Sequence, residues 1–144
     1  MNKKESPVSS DFYKVVRGQV EYLNNAINQR VIWLIIAESF FFSGYAILIT
    51  GNPESQIMID HKDLLMILFP YASLLTVVIS SIDIIGSLLY LKSLKLNYEK
   101  EKEIGEELLP PVTGWHKYFV LEHASSILLP IVFTAIWIYI IVVK

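Results

Sequence analysis

The sequence predicts an all-α integral membrane protein with three transmembrane helices, an N-terminal amphipathic cytoplasmic helix and a helical cytoplasmic loop. Three observations carry this. The 53% hydrophobic content of the 144 residues is gathered into three apolar blocks. Lys and Arg are distributed unequally between the segments joining the blocks. Ahead of the first block, apolar residues recur with the period of a helix.

The N-terminal segment comes first. Phe12, Val16, Val20, Leu23, Ile27 and Val31 follow one another at spacings of 4, 4, 3, 4 and 4, one face of a helix. Asp11 is a suitable N-cap. No Pro or Gly cluster separates residues 11–30 from the first block, so one long helix from Asp11 to Thr50 is expected, slightly weakened by Gly18. Residues 1–30 hold no apolar signal-peptide core, so the first span is expected to act as the insertion signal.

The blocks are residues 31–50, with Glu38 as the one charge, 64–91, with Asp83 as the one charge, and 127–143, with none. About 20 apolar residues cross ~30 Å of hydrocarbon. The first block fits. The second is long enough to tilt or to project. The third extends through the interface by way of residues 115–124. The outer loop "GNPESQIMIDHKD" is too short for a domain, and the whole chain reads as one unit, 1–144.

Direction follows from the cations. Lys3, Lys4, Lys14, Arg17 and Arg30 precede the first span, and Lys92, Lys95, Lys100, Lys102 and Lys117 follow the second. Lys62 and Lys144 stand alone on the other side. The positive-inside rule puts the N-terminus and residues 92–124 in the cytoplasm and the C-terminus outside. In 92–124, "LKSLKLNYEKEKEIGEELL" continues the second helix until Pro110 and Pro111 stop it. The run "EKEKEIGEE" is a solvated face or an acidic docking site. "WHKYFVLEHA" reads as an interfacial helix, with Trp115, Tyr118, His116 and His123 near the headgroups and Arg30 at the same membrane edge.

The intramembrane acids are the candidate functional residues. Glu38 lies seven residues past Val31, ~10 Å from the cytoplasmic edge. Asp83 lies eight residues before Leu91, ~12 Å from that edge by the same count. They are therefore expected at similar depths; if helices 1 and 2 are neighbours they could face one another or a shared cavity, and the sequence leaves open whether they meet. Ser73, Thr76, Ser80, Asp83 and Ser87 form a polar seam at heptad spacing, with Gly86 beside it. Ser39, Ser43, Ala46 and Thr50 form a smaller stripe on the first span. Small and hydroxylated residues let helices approach and hydrogen-bond, which makes Ser39, Ser43 and Gly86 candidate packing positions. A charge at the centre of a span costs about 2.5–3.5 kcal/mol on insertion scales. No span contains Lys or Arg, and the nearest cations are Arg30 and Lys92. Three roles remain open for the acids: hydrogen-bonding glue between helices, a proton or cation path, or a headgroup or small-ligand cavity.

Much is excluded. Without cysteine there is no disulfide or thiol catalysis. A net charge of −2 gives no argument for nucleic acid. His116 and His123 at seven-residue spacing make a poor metal signature, and His61 between Asp60 and Asp63 reads as a solvated turn. Phosphate-loop, nucleophile-elbow and dinucleotide motifs are missing. No catalytic residue, metal or cofactor is expected. Pro70 and Pro130 read as kinks, and Phe40, Phe41 and Phe42 as lipid or packing contacts.

"YLNNAINQRVIWLIIAESFFFSGYAIL", "GWHKYF" and "LLPIVFTAIWI" resemble the RipA-like family of small bacterial cytoplasmic-membrane proteins, described as octameric and first noticed as a factor for intracellular growth in Francisella. The likeness spans Asn24–Tyr45, Trp115–Phe119 and Leu128–Trp137, and the family offers no catalytic signature to carry over. It implies a multi-pass protein of the bacterial inner membrane that forms a homo-oligomer. Three helices alone are too few to enclose a pathway, which also points to self-association. The expected function is a non-enzymatic inner-membrane scaffold or envelope-homeostasis factor, and the resemblance implies a setting of survival inside host cells. The alternatives are a proton or cation channel lined by Glu38 and Asp83, or an accessory subunit binding a partner protein through its cytoplasmic helices.

Overall fold

The computed structural model of the chain describes residues 8–51, 56–101 and 123–143. The described residues are all-helical. They form α1 (Val8–Thr50), α2 (Gln56–Glu101) and α3 (Ala124–Val143). Each helix is long and apolar enough to cross a membrane by length and composition. The candidate interfacial residues Trp115 and His116, and the rest of the expected helix through Glu122, lie outside the described residues.

α1 runs unbroken through the join between its mixed-polar and apolar halves. Nothing in residues 11–50 interrupts the backbone ladder, and isolated Gly18 and Gly44 are tolerated inside a helix. α2 begins at Gln56, inside the segment expected as a loop. A helix needs freedom from breakers rather than apolarity, and Asp60–Asp63 contains none. At the turn, Gly51 N–H closes onto Ile47 O at 2.8 Å, and Lys62 Nζ donates to Gly51 O at 2.9 Å.

The two long helices form an antiparallel hairpin. Tyr13, Val16, Val20 and Leu23 of α1 pack on Leu91 and Tyr98 of α2, with Phe12 stacked on Tyr98. Ile27 and Val31 meet Ile84 and Leu88, together with Leu129 of α3. Further along, Phe40 and Phe41 pack on Phe69. α3 runs parallel to α1: Leu129 lies beside Val31, and Trp137 stacks on Phe42 with ring centroids 4.6 Å apart. Among the described residues, the part of the hairpin before Ile27 and beyond Leu88 projects past the three-helix portion as a two-helix arm.

This register corrects the depth count made from the sequence. The first block begins at Val31, and its neighbour on α2 is Ile84, not Leu91. Residues 84–91, apolar as they are, pack beside the segment of α1 before Val31. Of these, Ile84 and Leu91 are buried against α1, while Ile85, Leu89 and Tyr90 are exposed.

Gly44 of α1 lies directly against the side chain of Phe69 on α2. A Cβ there would run into the ring of Phe69. Ser39, Ser43 and Gly86 instead face outward from this chain, and a Cβ on Gly86 would meet nothing. Ser39 and Ser43 hydroxyls donate to Ile35 O and Ser39 O of their own helix. Gly44→Leu is therefore expected to destabilise the fold by about 1–3 kcal/mol through overpacking. Thermal or denaturant unfolding in detergent measures this. A Phe69→Ala background should remove most of the penalty, and an equal loss in both backgrounds would place the cause elsewhere.

Candidate functional site: a carboxyl clamp between three helices

Glu38 has no solvent exposure in the folded chain. α1 directs it inward on the same face as Val31, Leu34 and Tyr45, at helical spacing. α2 supplies Ser73, also fully buried, whose Oγ lies 2.8 Å and 2.7 Å from the two carboxyl oxygens. α3 supplies Trp137, likewise fully buried, whose Nε1–H donates to Oε2 at 2.6 Å. One side chain from each helix therefore meets at one point.

The surroundings fix the geometry. Trp137 packs on Phe42, stacked at an interplanar angle of 10°, and on Tyr45, edge-on with centroids 5.6 Å apart. Indole N–H is a donor only, so a buried Trp needs an acceptor. The Ser73 hydroxyl donates to a carboxylate or accepts from a carboxylic acid. The clamp can therefore hold Glu38 with or without its proton. Among the described residues no cation reaches Glu38, and no cluster of His, Cys, Asp and Glu has the makings of a metal site.

Asp83 is elsewhere. Its side chain is 59% exposed, and its Oδ2 lies 3.8 Å from Arg30 Nε. Arg30 Nη1 also donates to Asp83 O at 3.2 Å and to the hydroxyl of Ser87. Glu38 is level with Ser73, ten residues before Asp83, so the two acids do not share a cavity. The expectation failed because it measured depth from the ends of two apolar blocks that the helix pairing does not align. Glu38 and Arg30 are eight residues apart on α1, ~12 Å along the axis.

The polar seam of α2 is thus divided. Ser73 serves the clamp. Thr76 donates to Ala72 O of its own helix, and Ser80 is half-buried between the two layers. Asp83 and Ser87 serve Arg30. His123, expected near the headgroups, is buried at the start of α3. Trp137 was not among the residues the sequence singled out. The available signal was its place: an indole well inside an apolar span, away from the interfaces where Trp is common, needs a buried acceptor.

Removing either donor should expose the design. Trp137→Phe and Ser73→Ala are each expected to cost about 1–3 kcal/mol, because Glu38 is left under-satisfied in a dry site. Asp83→Asn should cost under about 1 kcal/mol, since the pair with Arg30 is half in solvent. Unfolding of the three variants in one detergent compares them. Equal effects at all three positions would contradict a division into a sealed clamp and an open ion pair.

No protein-family model matches this chain, no curated protein is similar to it at a significant level, and no solved structure matches it.

Proposed function

We propose that this chain is a non-enzymatic, homo-oligomeric scaffold of the bacterial inner membrane, with the α1–α2 arm in the cytoplasm and the C-terminus outside. The observation that carries the reading is the Glu38 clamp. Its carboxyl group is consumed in joining the three helices, with donors from α2 and α3 and no exposed face. A side chain so enclosed locks a structural unit and is poorly placed to carry a substrate or an ion.

The unequal distribution of Lys and Arg supports the orientation. Self-association is supported by the outward direction of Ser39, Ser43 and Gly86, small residues that let a neighbouring helix approach. A role in envelope homeostasis follows the resemblance to the RipA-like family. The channel alternative now rests on Asp83 alone, because its side chain is open to the surroundings while Glu38 is closed off.

The test is native mass of the full chain in lipid nanodiscs, together with proton and cation flux in proteoliposomes. A stable assembly of several 16.5 kDa copies without flux is the expected result. A monomer would remove the scaffold reading. Flux that Asp83→Asn abolishes while assembly persists would replace it with the channel.

A further inference from the structure

Between α2 and α3 runs an open groove of about 460 Å³. It follows α3 from Ser126 to Ile138, ~18 Å along the helix axis. Its walls are apolar: Ile85 of α2 and Ile127, Ile131 and Ile138 of α3 line it, and all four are exposed. Its hydroxyls are not equivalent. Those of Ser81 and Thr134 donate to Val77 O and Pro130 O of their own helices. Ser126 stands at the end of the groove nearest the arm. It is only 3% exposed, yet its hydroxyl makes no hydrogen bond among the described residues.

Past that end, the same stripe of α2 changes character. Ser81, Ile85, Leu88, Lys92 and Lys95 follow one another at spacings of 4, 3, 4 and 3, one side of a helix. Ser81 and Ile85 line the groove, and Leu88 packs on the cluster that Leu129 of α3 joins. Lys92 lies ~10 Å beyond Ile85. It is exposed, Lys95 is half-buried, and neither has an acidic partner among the described residues. α3 begins at this end too, so the positive end of its dipole adds to the two cations. In the other direction the first cation on α2 is Lys62, nineteen residues before Ser81 and bonded to Gly51 O.

We infer that the groove holds one acyl chain of an anionic phospholipid, whose phosphate rests on Lys92 and Lys95. This builds on the three membrane-spanning helices and not on self-association. Three features select the occupant. The first is size. A helix ~10 Å across and ~18 Å long needs roughly 1,400 Å³, about three times the groove, whereas a single hydrocarbon chain is thin enough to lie in it. The second is order. A glycerophospholipid presents a phosphate, then an ester carbonyl, then hydrocarbon. The protein presents Lys92, then the unengaged hydroxyl of Ser126, a donor suited to a carbonyl, then Ile131 and Ile138. The third is charge. The cations stand at one end of the groove, and Lys residues beside a membrane surface attract anionic lipid.

The test is native mass spectrometry of the full chain released from bilayers of phosphatidylglycerol and phosphatidylcholine with matched acyl chains. The expected result is one phosphatidylglycerol per copy, favoured over phosphatidylcholine by about 30-fold, roughly fivefold for each lysine. Lys92→Gln with Lys95→Gln should remove the preference. Ala135 lines the groove and is exposed, so the ring of Ala135→Phe fills the groove and not the core. That variant should lose the bound lipid with its unfolding midpoint unchanged. Equal retention of the two lipids by the unaltered chain overturns the inference. So does retention that a folded Ala135→Phe leaves intact, because the lipid is then held at the surface by charge alone. If Ala135→Phe does not fold, a phosphatidylglycerol with a diazirine in its acyl chain decides. It should label Ile131–Ile138 above the other exposed faces, and uniform labelling of the three spans overturns the inference. Bound lipid is counted per copy, so a monomeric mass would remove the scaffold reading without touching this one.

Discussion

A carboxyl group placed inside an apolar bundle has to find donors, and the donors come from other helices. That constraint organises this molecule. Glu38 fixes the rotation of α1, Ser73 fixes that of α2, and Trp137 fixes that of α3. Apolar packing in a membrane is weakly directional, because lipid tails are as good a neighbour as Leu. Three hydrogen-bonding side chains at one point supply the direction that Ile and Val cannot. Aromatic contacts then hold the arrangement in place: Phe42 and Tyr45 fix the indole, and Phe69 fills the space left by Gly44.

The second polar layer has a different character. Arg30, Asp83 and Ser87 sit where the apolar half of α1 begins, partly open to the surroundings. A half-exposed pair contributes little to stability. Its value is in marking level. It holds α1 and α2 in the register that the arm continues, with Tyr13 beside Tyr98.

The helices were legible in the sequence because length, apolarity and the absence of breakers are local properties. The continuous α1 and the shared face of Val16, Val20 and Leu23 were readable from spacing alone. The partner of Glu38 was half legible: Ser73 belonged to the polar seam, and Trp137 did not stand out among three tryptophans. What spacing does not contain is the offset between helices. The sequence marks where each apolar block ends, but an amphipathic extension looks apolar too. Residues 84–91, counted with the second apolar block, therefore lie beside the segment of α1 that precedes Val31. The expectation that Glu38 and Asp83 lie at similar depths failed for this one reason.

The clamp also has an order in time. Its other two members lie 35 and 99 residues from Glu38, and the last to be synthesised is Trp137. A nascent chain that has inserted only its first two helices holds a carboxyl with a single donor and an open third side. Arrival of the third helix seals it. The protein thus carries an internal mark of its own completion: without the third helix the carboxyl lacks the indole donor, and in the finished chain it has it.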